Sequence, residues 1–339
     1  MKSAMYIAGL LGLAAMTALV LHQGLGGVLT LLRSAGWYLL LLVPFHALPL
    51  LLDAAGWRTL LAPRDPEQRA RLPFLLWVAA VREAVSRLLP TLSAGGEIAG
   101  IRLVKLRGLD GAATTASVIV EVLLTLIGQY IFAALGVVLL IAATAPTHVA
   151  WTILSALALS LPVPILLGAL LRYGSVFERL GKLAETTLGS RSRLVELIGG
   201  SSLDAEIRAL YKRPGRLLTA LAWELCGFVL GALETWLALR FLGHPAGVGT
   251  AIVIESLTQA LRSIAFIVPA GLGVQEGGLM VFGSLVGIGG DLSISLSLAK
   301  RMRELLFGVP ALLSWLWVEG RRLKLSLPGK SSDQEFRQP

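Results

Sequence analysis

The chain has 339 residues, 55% of them hydrophobic and only 15% charged, and its mean hydropathy of +0.75 leaves too few polar side chains to coat a globule of this size. That balance excludes a soluble globular domain and indicates an integral membrane protein. The net charge of +9 does not indicate nucleic-acid binding, because the basic residues fall in short blocks between apolar segments, as in cytoplasmic loops.

The first apolar run, residues 4–22, follows Lys2 and has the composition of either a cleaved signal peptide or a retained helix. Its length suffices to span and no small-residue cleavage site follows at once, which favours the helix. Further stretches at 36–52, 112–143, 149–171, 217–241 and 293–318 complete six expected full spans. Two others, 73–90 and 249–268, are apolar but charged, with Arg82, Glu83 and Arg87 in one and Glu255 and Arg262 in the other. Each runs into a proline-glycine break, so each is expected to be the first arm of a re-entrant helical hairpin. Basic residues crowd the segments 53–72, 98–110, 172–216 and the tail from 319, whereas the alternate connections at 22–36, 144–149, 242–248 and 289–292 hold Arg33 alone. The positive-inside rule then puts both termini of this multi-pass chain in the cytoplasm.

An internal repeat emerges. LLPTLSAGGE (88–97) and IVPAGLGVQE (267–276) both place a glutamate seven residues after a proline, and each has a glycine eleven residues further on, Gly108 and Gly287. Each leads into a long span with ionisable groups at matching depth, Glu121 in the first and Lys300 with Arg301 in the second. The expected fold is therefore all-α: a single membrane domain, 1–320, built as an inverted repeat of halves 1–147 and 148–320, followed by a cytoplasmic tail, 321–339. Within it, 172–216 has leucines and isoleucines at amphipathic spacing among basic residues. It is expected to lie on the anionic lipids of the inner leaflet, a solvated loop being the alternative.

Ionisable groups in hydrocarbon must be paired or hydrated. The candidates for a substrate path are Glu83, Glu97, Glu121, Glu255, Arg262, Glu276, Arg301 and Glu304; Glu224 and Glu234 are weaker, because their ten-residue spacing turns them onto different helix faces. Glu83 and Arg262 occupy equivalent positions of opposite sign, as do Glu121 and Lys300 or Arg301, which suggests salt bridges between the halves. Glu255, Gln259 and Arg262 would form one polar stripe. Glu97 and Glu276 begin the returning arms, where a carboxylate either caps freed amides or lines the path. No catalytic residue, cofactor or metal site is expected. The four histidines lack partners at ligand spacing, Cys226 reads as packing, and no phosphate loop or nucleophile elbow is present.

WVAAVREAVSRLLPTLSAGGEIAGIRLVKLRG (77–108) with ASVIVEVLLTLIGQYIF (116–132) resembles the flippase-like family that includes the transmembrane region of lysylphosphatidylglycerol synthases. ALRSIAFIVPAGLGVQEGG (260–278) with SLSLAKRMRELLFGVPALLSW (295–315) is similar to its hopanoid-biosynthesis-associated branch. The resemblance covers the membrane portion and implies movement of a lipid between leaflets, with Glu97, Glu276, Arg262 and Arg301 matching its charged positions. The substrate would be a hopanoid-related, polyprenyl or anionic lipid. The soluble aminoacyl-transfer domain of the synthases has no counterpart, which argues against lipid aminoacylation; no enzyme is expected, an intramembrane hydrolase or transferase with a glutamate base being the third reading. The alternative is a non-transporting, lipid-binding scaffold, with a lipid-biosynthesis enzyme or a second copy of the chain as partner.

Overall fold

The computed structural model describes residues 30, 33–89, 94–144, 148–179, 182, 200–265, 268 and 271–326, and among these every regular element is helical. The expected first span, the break prolines Pro90 and Pro269, most of 180–199 and the end of the tail lie outside the described residues.

A 3-10 helix, Gly36–Leu41, leads into α1, Leu42–Leu61. The apolar run ends at Leu52, but the helix continues through Asp53, so this acid belongs to a membrane helix and not to the loop expected there. α2, Leu72–Leu88, starts with Pro73 in its first turn and ends where Leu89, the residue before Pro90, turns extended (φ −97, ψ 146). α3, Ala94–Lys105, returns alongside it. α4, Gly111–Ala143, is capped by the Asp110 carboxylate, which accepts the Ala113 N–H at 2.8 Å.

The apolar stretch after residue 148 is two helices, α5, His148–Ser160, and α6, Pro162–Tyr173. Pro162 and Pro164 explain the division, since neither can donate to the helix ladder. The Ser160 carbonyl, which Pro164 leaves without its usual donor, accepts from the Tyr130 hydroxyl of α4 at 3.1 Å. α7, Gly200–Tyr211, precedes α8, Pro214–Phe241, α9, Val248–Ile264, α10, Val274–Leu285, and α11, Gly290–Ser326.

Among the described residues, four stretches are long and apolar enough to cross a membrane: Arg33–Arg64, Gly111–Ala143, Trp151–Tyr173 and Pro214–Phe241. Their outer faces are apolar and unburied, as at Leu159, Ile165, Leu166, Leu218 and Val138, an arrangement suited to lipid and not to water. α11 is long enough, but Lys300, Arg301, Arg303 and Glu304 interrupt its apolar surface.

Packing brings α1 against α8, α4 against α9, and α2 against α11. Small residues permit the close crossings. A Cβ on Gly56 of α1 would lie 3.5 Å from Trp223 Cβ of α8, and one on Gly136 of α4 would come within 1.9 Å of Ser256 Oγ of α9. The basic connections are tied together at one end. Arg64 donates to both Glu206 oxygens, at 2.7 and 2.8 Å, Arg69 donates to the Gly108 carbonyl at 3.1 Å, and Arg102 bonds Glu319. At the opposite end Ala35, Leu242, Ile288 and Leu292 share one apolar cluster. The pair α2/α3 therefore opens toward the basic end and the pair α9/α10 toward the other.

α7 departs from expectation. Leu203, Ile207 and Leu210 are buried against α4 and α6, in one cluster with Leu123 and Leu171, so the helix gives its apolar face to the protein. Cys226 is exposed on α8 and does not pack.

Candidate functional site

The charged side chains of the membrane helices converge into a seam of three adjoining networks. In the first, Arg82 of α2 bonds both oxygens of Glu121 of α4, at 3.1 and 3.0 Å, and also bonds Glu97 at the start of α3. Its guanidinium stacks 4.7 Å over Trp57, whose indole N–H donates to Ser117 at 2.9 Å. Asp53 of α1 and Glu224 of α8 sit beside Glu121, the three offering carboxylate oxygens within 4.8 Å of one another. α3 can come this close only because of its glycines: a Cβ on Gly96 would lie 2.3 Å from the Arg82 carbonyl, and one on Gly100 2.7 Å from the Arg82 side chain.

The second network joins the two parts of the chain. His46 of α1 contacts Glu234 of α8 through Nδ1 at 2.8 Å and Glu83 of α2 through Nε2 at 2.7 Å. Arg303 of α11 approaches the same groups, 3.5 Å from Glu83 Oε1, 2.8 Å from His46 Nε2 and 3.0 Å from Glu234 Oε1. The last contact is an ion pair without hydrogen-bond alignment, since Arg303 Nε and Glu234 Oε1 are both left without a hydrogen-bond partner. The imidazole can donate to both carboxylates only as the imidazolium; as a neutral ring it has one N–H to give.

The third network surrounds the α9/α10 turn. The Glu276 carboxylate is divided: Oε2 accepts the Gly273 N–H at 2.7 Å, while Oε1 accepts from Ser297 at 3.0 Å and from Arg301 Nε at 3.2 Å. Gly273 has φ +77 and Gly271 has φ +58, left-handed conformations that let the chain turn inside the protein. Arg301 also holds Glu304 at 3.0 Å and the Gly271 carbonyl at 3.2 Å, and Arg262 donates to Gln275 at 2.5 Å and faces Glu304 at 3.9 Å. Nearby, Lys300 and the Thr235 hydroxyl both bond Glu255.

The transmembrane region of lysylphosphatidylglycerol synthases matches this chain over residues 6–311. The chain belongs to that family. No curated protein matches it, and no solved structure does. Family membership and the apolar helices together make it an integral membrane protein of lipid-related function.

In this member of the family, all eight residues singled out from sequence lie in the seam, but several of their partners differ. Glu83 takes His46 and Arg303, and Arg262 takes Gln275 and Glu304, so the Glu83–Arg262 bridge between halves is absent. Glu121 pairs with Arg82, Lys300 with Glu255, and Arg301 with Glu276 and Glu304, so the expected pairing of Glu121 with the α11 cations is also replaced. The partners that reach these groups are local ones: Arg82 of α2 for Glu121, Glu255 of α9 for Lys300, and Glu276 of α10 for Arg301. Glu255, Gln259 and Arg262 do line one side of α9, the first buried, the last bonded to α10. Sequence reasoning missed Asp53, assigned to a loop, and His46, whose partners are 37 and 188 residues away. Glu224 and Glu234 do face different networks, yet each is buried and central to its own.

Proposed function

We propose that the chain moves a lipid between the leaflets of a bacterial cytoplasmic membrane, as a flippase-type transporter built from two inverted halves with re-entrant hairpins. The observation that carries this reading is the seam itself: charged groups from α1, α2, α3, α4, α8, α9, α10 and α11 meet between the helix pairs α2/α3 and α9/α10, which open toward opposite ends. Irregular backbone and ionisable groups at membrane depth are tolerated where they line a protein interior or a wet path, and here they coincide. The reciprocal packing of α4 on α9 and α2 on α11, about the α1/α8 contact, is the neighbour pattern a pseudo-two-fold axis would produce. The basic connections, gathered at one end, favour a cytoplasmic position for that end and for both termini.

In this mechanism a polar headgroup travels along the seam while its tail remains in the bilayer. Arg262 and Arg301 would hold an anionic headgroup, and the resemblance to the family's hopanoid-associated branch favours a hopanoid-related, polyprenyl or anionic lipid as cargo. Glu97 and Arg87, with side chains 30% and 32% exposed, give the seam an opening near the α2/α3 turn.

The test is leaflet exchange of fluorescent lipids, with and without an anionic headgroup, in liposomes containing wild type or Arg262→Ala. Arg262 suits this purpose because its removal leaves Glu304 paired with Arg301. Exchange by wild type and its loss in the folded variant support transport. No exchange of any candidate, with or without a proton gradient, would favour the scaffold.

A further inference from the structure

Asp53, Glu121 and Glu224 come from α1, α4 and α8 and meet at one level, Asp53 eight residues before the end of α1 and the two glutamates ten residues after their helices begin. Glu121 is 2% and Glu224 6% exposed. Glu224 Oε1 is fully enclosed yet has no hydrogen-bond partner. This oxygen is aimed at the surface of α1 that carries Asp53, since a Cβ added to Gly56, one turn further on, would lie 4.0 Å from it.

The surrounding charge points to a ligand. The groups facing the gap are Arg82 from α2, Glu97 from α3 and the Thr125 hydroxyl of α4 beside Glu224, with Glu83 of α2 beside Asp53. Among the described residues, Asp53, Glu97, Glu121 and Glu224 thus set four carboxylates against the single guanidinium of Arg82. An excess of negative charge of that size inside an apolar protein needs a counter-ion or protons.

We infer that Asp53, Glu121 and Glu224 bind a hard divalent cation of calcium size. The donors are all carboxylate oxygens, with neither sulfur nor imidazole among the three, and such sets take hard cations. With the three oxygens at most 4.8 Å apart, a point within about 2.8 Å of all of them exists, which admits the 2.3–2.6 Å bonds of Ca²⁺ in the flexible geometry that ion accepts. Two positive charges cancel most of the excess, where Na⁺ would cancel less. The Glu224 oxygen gains its missing partner. This site does not depend on lipid transport: a scaffold could carry it equally.

The experiment is equilibrium dialysis of the full-length, chelator-treated protein in detergent against ⁴⁵Ca²⁺ near neutral pH, with Mg²⁺ and Na⁺ as competitors. Glu224→Gln and Asp53→Asn, checked for folding by size exclusion, are compared with the exposed Glu178→Gln. The inference expects saturable binding of about one Ca²⁺ per chain, weakened at least about tenfold in either site variant and unchanged in Glu178→Gln. Absence of saturable binding by wild type overturns it and assigns the excess charge to protons; equal binding by wild type and both site variants overturns the location. Because no lipid is present, neither result bears on leaflet exchange.

Discussion

His46 and Glu234, 188 residues apart, meet at 2.8 Å between α1 and α8, and Arg303 from α11 lies 3.0 Å from the other oxygen of the same carboxylate. With the partly buried Glu83 they form a four-residue lock between the first and second parts of the chain.

Arg303 is the lock's one permanent cation, so its loss leaves Glu83 and Glu234 undercompensated. Arg303→Ala is expected to lower stability by about 3–5 kcal/mol, the usual result of breaking a buried pair from one side. Combining it with Glu83→Gln removes one of the stranded charges and should recover part of that loss. Unfolding in graded detergent or denaturant measures both; strict additivity of the two changes would refute the coupling.

The close approach of α3 to α2 depends above all on Gly96. At Gly96 a Cβ would fall 2.3 Å from the Arg82 carbonyl, a backbone atom that has no room to move, and 2.4 Å from Ser86 Oγ. Gly96→Ala should therefore separate α3 from α2, weaken the Arg82–Glu97 bond and cost about 1–3 kcal/mol in thermal unfolding. Gly215→Ala, where nothing lies within 4 Å, is the control and should be neutral or nearly so.

The apolar lengths revealed four of the six expected spans among the described residues, because hydrocarbon imposes its thickness on sequence, and the Leu89–Pro90 step marked the end of α2 for a steric reason. Polar helix ends were less legible. α1 outlasts its apolar run by nine residues and brings Asp53 inside, since a helix stops for want of backbone partners and not at its first charge. For the site, the identities of the buried acids and bases could be read, but their pairing could not: spacing along one helix says which residues share a face, not which helix that face meets. One signal was available for Asp53. Its distance from the basic end of α1 matches those of Glu121 and Glu224 from the same end of their helices, so a common depth could have gathered the three.

The break between α5 and α6 makes a separable prediction. Tyr130 supplies the donor that Pro164 cannot, so Tyr130→Phe should destabilise by about 1 kcal/mol. In a Pro164→Ala background the helix regains its own N–H, and the same Tyr130→Phe change should then cost little. Melting of the four proteins of this cycle decides it, and an equal effect of Tyr130→Phe in both backgrounds would count against the assignment.

Glu276 has two oxygens in two jobs, and two substitutions separate them. Glu276→Gln keeps a carbonyl oxygen able to accept the Gly273 N–H but removes the negative charge beside Arg301, whereas Glu276→Ala removes both. Stability should fall more for alanine, by about 1 kcal/mol or more beyond glutamine, because a helix cap is lost as well. Leaflet exchange should instead fall alike in both, since the charge that balances Arg301 along the seam is absent from each. A glutamine variant that exchanges lipid as wild type does would make Glu276 a cap alone and move the path toward Glu304 and Arg262.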